Sequence, residues 1–412
     1  MSDSTHEVFD IHRGHGNKNT ILPPEISDEI IDMVGYPAII GYNDDERRKN
    51  LRACSLVCRG WVYRSRKNLF HYIRLYGVEG WDTIKQTLGL LPSHAKDVRM
   101  LYIASDKLLK SFKPNQFLAE VSSLMPAITT LTFSSIKLKL LTDDSSELPF
   151  RLNSVQSLTF DDVKLHTMKK FDALIQAFPS VTSLILDQIY LSKKHEQAVL
   201  PNFEEGLHRV LIKLRQIEVY HDRLWSPPTQ VHQWIARSPV AASVTRISQY
   251  GPPFQYSTGD HQTVSLSELL RIKGPLLVYL RLPAYVFRTK PKAKIFSSLQ
   301  LCTSLQDFSV GGVDGYHLAD VVETLQSLRC MNIKKLSFGL LWRRGLKSNC
   351  QDLWDKFDEI LCSTTFNNVE IVFVYFEHYL EHAVDIGKYL PRVLDRGILK
   401  VKGSGDVMVT LL

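Results

Sequence analysis

Long uncharged apolar runs are missing from this 412-residue sequence, and without one no helix is expected to span a bilayer. The opening stretch MSDSTHEVFDIHRGHGNKNT is polar and lacks the basic-then-apolar layout of a secretory leader. Cysteine is scarce. The six residues Cys54, Cys58, Cys302, Cys330, Cys350 and Cys362 contain no CxxC pair and form no dense framework. In a chain this long they read as reduced, mostly buried thiols of an intracellular protein, cytoplasmic or nuclear. Patterns of the form GxxxxGKS, GxxxxGKT, GxGxxG and GxSxG are absent, so phosphate cradles and nucleophile elbows have no local support. Gly311 and Gly312, with Gly315, follow an expected strand and are expected to make a turn. No enzyme, catalytic residue, metal or cofactor is expected.

One stretch runs against that expectation. EHYLEH places His378 and His382 four apart with Glu381 between them. On a helix the two imidazoles share a face and could grip zinc, with Glu381 as general base. A third ligand is missing nearby and the stretch directly follows an expected strand. A polar helix face is therefore the expectation, and a zinc hydrolase the alternative.

Charge of one sign is not in large excess: 50 Lys and Arg stand against 43 Asp and Glu, a net +7. The densest basic cluster is Arg47, Arg48, Lys49, Arg52, Arg59, Arg64, Arg66, Lys67 and Arg74. It belongs to no recognised groove-reading element, so neither nucleic acid nor membrane is expected as a partner.

The segment LPPEISDEIIDMVGYP carries helix-start chemistry. Proline is tolerated in the first turn, and Glu25, Asp28 and Glu29 favour the positive end of the helix dipole. Ile26, Ile30, Met33 and Val34 form an apolar stripe, and Gly35 with Pro37 stops the helix. After a polar connector comes LRACSLVCRGWVYRSRKNLFHYIRL, in which Leu51, Cys54, Val57, Cys58 and Trp61 recur at helical spacing. Cys54 and Cys58 lack metal partners nearby, so core packing is expected of them. Tyr72 to Leu75 is expected to be extended.

These two stretches resemble the F-box-like modules of mushroom-forming fungi, in which Leu-Pro begins the first helix and a CSLVCR…W…SR..LF..I.L run forms the later part. The resemblance covers the first fifth of the chain. It implies a three-helix module and an acidic Skp-type adaptor as partner, and through that adaptor a cullin–RING ubiquitin ligase. The implied module residues, some of them docking the adaptor, are Leu22, Pro23, Ile26, Ile30, Leu51, Cys54, Val57, Cys58 and Trp61. The connector from Tyr36 to Lys49 looks longer than in the family.

From Asp97 onward one spacing recurs, LxxLxLxxLxL. Its clearest copies are Ile128-Leu131-Phe133-Ile136-Leu138, Val155-Leu158-Phe160-Val163-Leu165 and Val181-Leu184-Leu186-Ile189-Leu191. Shorter copies start at Val98, Leu214, Leu277, Leu305, Ile333 and Val369, and a damaged one at Val244, where Gln249 replaces the last apolar residue. Amphipathic stretches lie between copies: Met168, Phe171, Leu174, Ile175 and Phe178; Leu318, Val322, Leu325 and Leu328; Leu353, Phe357, Ile360 and Leu361. A short strand and a helix cannot bury their own apolar face, so stacking of about ten units into one continuous core is expected. This part resembles the long leucine-rich repeats found behind F-box modules. It departs from them where Ile136, Val163 and Ile189 replace the usual Asn or Cys, which predicts an irregular turn after each strand.

The expected fold class is therefore α/β: a flexible tail over 1–20, a helical F-box-like module over 21–76, and a leucine-rich-repeat solenoid over 77–412. The expected function is substrate adaptor of a Skp–cullin–F-box ligase, with a repeat scaffold lacking any ligase role as the alternative. In a strand, side chains alternate between core and open face. Beside the middle apolar residue the early repeats place Thr130 and Thr132, Ser157 and Thr159, Ser183 and Ile185. Later repeats place Gln216 and Glu218, Arg246 and Ser248, Tyr279 and Arg281, Asp307 and Ser309, Lys335 and Ser337. Arginine and tyrosine are enriched at interface hot spots. A protein substrate is therefore expected over Glu218, Arg246, Tyr279, Arg281, Asp307 and Lys335, the alternative being a solvated sheet with binding on loops or helices.

Overall fold

The computed structural model describes residues 23–35, 44–104, 114–137, 151–165, 167–191, 212–220, 229–251, 260–288, 292–314, 317–328, 332–341, 351–376, 386–402 and 408–409. The chain divides into two compact units, Met1–His71 and Tyr72–Leu412. The boundary falls before Tyr72–Leu75, which is the first strand of the second unit rather than the end of the first.

Among the described residues the first unit has three helices, α1 (Pro24–Gly35), α2 (Asp44–Val57) and α3 (Arg59–His71). Asp44, Asp45 and Glu46 occupy the first turn of α2, where negative charge suits the helix dipole. The connector expected to reach Lys49 therefore ends before Asp44. A polar network fixes the helices. Arg47, buried on α2, donates to the carbonyl oxygens of Gly35 (3.3 Å) and Asn68 (3.1 Å) and pairs with Asp44 at 3.0 Å. The Gly35 carbonyl lies at the α1 C-terminus, where no intrahelical donor exists. Asn68 Nδ2 donates to the Ile31 carbonyl (3.2 Å) and to Asp32 (2.8 Å), and Arg64 Nε donates to Asp32 at 2.6 Å. The Arg64 hydrogen bond holds the Asp32 carboxyl below its ordinary value against burial, and Asn68 adds to the effect.

This network selects the face that α1 buries. Ser27, Ile31 and Gly35 point inward, not the expected stripe. A Cβ at Gly35 would come 2.8 Å from Asn68 Cβ, so the packing of α1 on α3 needs glycine there. Ile31 and Leu51 are fully buried.

Among the described residues the second unit forms one thirteen-stranded sheet in chain order. The strands are β1 (Tyr72–Leu75), β2 (Met100–Ala104), β3 (Thr130–Ser134), β4 (Ser157–Leu165), β5 (Ser183–Leu191), β6 (Gln216–Tyr220), β7 (Arg246–Tyr250), β8 (Tyr279–Pro283), β9 (Asp307–Val313), β10 (Lys335–Leu340), β11 (Ile371–Phe376), β12 (Leu399–Lys402) and β13 (Met408–Val409). All neighbours from β1 to β12 are parallel, and β13 returns antiparallel. The fold is the strand–helix solenoid that the repeat predicts, with β1 and β12 added to the ten recognised copies.

Register follows the repeat. The middle apolar position aligns strand to strand as Ile73, Leu101, Leu131, Leu158, Leu184, Ile217, Ile247, Leu280, Phe308, Leu336, Val372 and Leu399. Each of these residues is buried, and full burial of such a side chain contributes about 1.5–3 kcal/mol. Helices cover this face. Phe160 meets Phe171 at 5.2 Å edge-on, Phe171 meets Trp234 at 5.1 Å, and Phe338 meets Phe357 at 4.9 Å. In Gln351–Leu361 the inward face is Trp354, Phe357, Asp358 and Leu361, so Trp354 and Asp358 replace the expected Leu353 and Ile360.

Buried carboxylates tie one repeat to another, Asp172 reaching from the helix after β4 to the helix after β6, and Asp358 from the helix after β10 to the one after β11. Asp172 accepts hydrogen bonds from Trp234 Nε1 (3.0 Å), Gln176 Nε2 (3.1 Å) and the Ser238 hydroxyl. Asp358 accepts from the backbone N–H groups of Arg392 and Val393, both at 3.1 Å, at the start of the helix Pro391–Asp395. Burial raises both carboxyls above their ordinary value despite these donors.

The irregularity expected after each strand has a definite form. Ser135, Asp162 and Gln188 hold φ of 54°, 51° and 50°, and Gly312 holds 70°. All four stand at one position of the repeat. Simple alternation would point this residue inward; the left-handed residue inserts an extra step and turns the next apolar one, Ile136, Val163, Ile189 or Val313, into the core. On β10 the step is absent, so Leu340 pairs with Val313 across a register shift. The pair Gly311 and Gly312 is thus part of a strand bulge, not a free-standing turn.

Candidate functional site

In the first unit, the expected module residues divide. Pro23, Ile26 and Ile30 are exposed, as are Val57 and Cys58; Cys54 and Trp61 are half-buried. Leu51 is fully buried and supports the helices from inside. Leu22 lies outside the described residues. Ile26, Ile30 and Met33, at i, i+4 and i+7, make one exposed apolar stripe on α1; Met33 is 72% exposed, and Leu56 and Val57 at the end of α2 are 86% and 63% exposed. Beside the stripe, a groove of about 390 Å³ is lined by Glu25, Asp28, Glu29, Asp32, Met33 and Arg64.

In the second unit, the six residues expected to meet a substrate all stand on the face of the sheet opposite the helices, and neighbouring side chains connect them. The Arg246 guanidinium lies over the Tyr279 ring at 4.5 Å. Arg281 lies over Tyr250 at 4.3 Å and reaches Tyr375 at 5.4 Å. Tyr220 and Tyr250 stack in parallel at 4.2 Å. Glu218 accepts from the Tyr220 hydroxyl at 2.8 Å and from Gln216 Nε2 at 2.5 Å. Lys335 pairs with Asp307 at 3.4 Å and lies over Phe373 at 4.9 Å.

Small residues make room for this layer. Ser248, Ser309, Ser337, Gly311 and Gly339 are buried although they face away from the helices. A Cβ at Gly311 would come 3.2 Å from Arg281 Nη2, and one at Gly339 only 2.6 Å from Tyr375 Cε2. Arg281 from β8 and Tyr375 from β11 therefore lie flat along the sheet across β9 and β10. Burial raises the Tyr220 and Tyr279 phenols above their ordinary value, so both stay neutral hydroxyl groups at physiological pH. Burial also raises Asp307, with Lys335 opposing. The layer thus offers aromatic faces, phenolic hydroxyls and guanidinium edges, a composition suited to binding a chain.

The sequence pointed to Glu218, Arg246, Tyr279, Arg281, Asp307 and Lys335, but missed Tyr220, Tyr250, Phe373 and Tyr375. Tyr220, Tyr250 and Tyr375 occupy a third open-face position, two residues beyond the one beside the middle apolar residue. Extending the alternation by one step finds them. Gln249 is buried in the core, where its side chain meets the hydroxyl of Tyr285, a phenol that burial pushes up to about 12. His378, Glu381 and His382 lie outside the described residues. Among the described residues no group of three His, Cys, Asp or Glu could hold a metal ion, and no helix is long and apolar enough to cross a membrane.

No family model and no curated protein matches the chain. Among solved structures, a crystal structure of a Bacteroides fragilis protein is similar over 66% of this chain and 81% of its own, at 12% identity and a TM-score of 0.38, a likeness too low to bear on function.

Proposed function

We propose that the chain is the substrate-recognition adaptor of a Skp–cullin–F-box ubiquitin ligase, holding a Skp-type adaptor with the first unit and a protein substrate with the open face of the second. The observation that carries the proposal is the exposed stripe Ile26, Ile30 and Met33 on α1. It occurs in a three-helix unit whose sequence resembles F-box-like modules. Exposed apolar side chains clustered on one helix face are costly in water and mark a surface that a partner covers. The internal polar network of Arg47, Asn68 and Asp32 leaves that stripe outside the core of its own unit. Assignment of the ligase role is by family analogy, and the solenoid's part as a binding surface is by architecture.

The test is affinity purification of the tagged full chain from cells, with bound proteins identified by mass spectrometry. A Skp-type adaptor and a cullin are expected with the wild type and lost with Ile26→Asp, Ile30→Asp and Met33→Asp combined. Recovery of neither from the wild type sinks the ligase role and leaves a repeat scaffold.

A further inference from the structure

Side chains on the open face change character along the array. From β3 to β5 the two positions beside the middle apolar residue are Thr130, Thr132, Ser157, Thr159, Ser183 and Ile185, short and without charge. From β6 to β12 the described open-face side chains include four cations, Arg246, Arg281, Lys335 and Lys400, and two carboxylates, Glu218 and Asp307. Both carboxylates are engaged within the face, Glu218 by Tyr220 and Gln216, and Asp307 by Lys335. The remaining excess is positive. Arg246 and Lys400 are exposed, while Arg281 is held flat between the rings of Tyr250 and Tyr375. A guanidinium fixed in this way loses little rotamer freedom when it meets a carboxylate in its plane, and its planar fork matches the two oxygens. Around it Tyr220, Phe373 and Tyr375 add aromatic surface for the rest of a ligand, while Tyr250 is covered by Tyr220 on one side and Arg281 on the other.

We propose that the β6–β12 part of the open face captures an extended acidic segment of a protein, whose carboxylates meet Arg246, Arg281 and Lys400 while its side chains lie on the tyrosine layer. The proposal rests on the reading of this face as the capture surface and adds the chemical class of what is captured. Seven strands about 4.8 Å apart span about 29 Å, the reach of about nine extended residues. Charge complementarity of this kind sets partner choice and speeds encounter, and it weakens with salt.

The experiment uses the purified full chain, without any adaptor, against a random library of twelve-residue peptides. The selected pool is sequenced, and one selected peptide is titrated by fluorescence anisotropy. The pool is expected to be enriched in Asp and Glu. Affinity of the chosen peptide is expected to fall at least tenfold in the Arg246→Gln, Arg281→Gln double variant. It should fall at least twofold in Lys400→Glu, an exposed change that leaves the fold alone, and severalfold between 50 mM and 300 mM salt. A selected pool of neutral or basic peptides overturns the acidic specificity and leaves the capture surface standing. No selection above background overturns both. Undiminished affinity in Lys400→Glu and in a double variant with wild-type circular dichroism places the acidic segment elsewhere and overturns the site. Co-purification of the Skp-type adaptor is read separately, so its failure cannot be mistaken for failure here.

Discussion

Asp172 shows how one side chain can both join and burden the fold. Three donors converge on its carboxylate and tie the helix Met168–Gln176 to Thr229–Arg237, yet burial still raises its pKa. The sign of the consequence is definite. Between the ordinary carboxylate value and the raised one, the folded chain binds more protons than the unfolded chain. Stability from this group therefore increases as pH falls through that window and is lower, and flat, above it. Asparagine keeps an oxygen for Trp234 and Ser238 and carries no charge, while Gln176 can turn its own oxygen to the new amide. Asp172→Asn is expected to keep the fold and to flatten part of the pH dependence. In urea titrations at pH 7 and pH 5, the wild-type midpoint should gain more on acidification than the variant's. An identical difference in both proteins contradicts the assignment. Asp172 could not be read from the sequence: a polar residue inside MKKFDALIQAF looks like a solvent-facing position until the Trp234 partner is brought to it by the next described helix.

At the scale of the strand, the left-handed residue next after β3 and within β4, β5 and β9 reconciles the repeat with its departure from the usual leucine-rich pattern. Ile136, Val163 and Ile189 are apolar because a residue of positive φ turns them inward, so no Asn is needed there. Left-handed backbone costs an L residue about 1–2 kcal/mol and glycine little. Gly312→Val, a β-branched residue at φ 70°, should lower stability by about 1–3 kcal/mol. At the equivalent position Gln188→Gly should be neutral or raise stability by up to about 1 kcal/mol, relief of strain being offset by the more flexible unfolded chain. Equal losses in both, measured by chemical denaturation, would show that φ is not what distinguishes the sites. Much of this element was legible. The spacing LxxLxLxxLxL fixed the strand positions and the inward rows, because parallel pairing in register repeats the same residue beside itself. What was not legible was which residue makes the bulge, since Ser135, Asp162, Gln188 and Gly312 share no residue type. The face of α1 escaped for a different reason. Ile26, Ile30 and Met33 look like a core stripe, but Gly35 against Asn68 and the hydrogen bonds of Asp32 turn the opposite face inward. Strand β12 was overlooked because LKVK is too short to carry the full pattern, and β1, expected to be extended, was assigned to the helical module because YIRL is too short to show the repeat.

Across the whole molecule the two units divide the labour that the proposal assigns them. The first exposes apolar side chains that its own helices do not cover, and the second exposes a tyrosine and arginine layer on its open sheet face. The boundary before Tyr72 matters in testing this division, because removing residues as far as 76 would also remove β1 and expose the edge of β2. Deletion of residues 1–71 leaves that pairing in place. The most direct measurement is size-exclusion chromatography with light scattering of the full chain mixed with a Skp-type adaptor, run beside the chain lacking residues 1–71 and beside the Arg246→Gln, Arg281→Gln double variant. A one-to-one complex is predicted for the full chain and the double variant, and none for the shortened chain. A full chain that elutes alone, or a shortened chain that still carries the adaptor, would contradict the account.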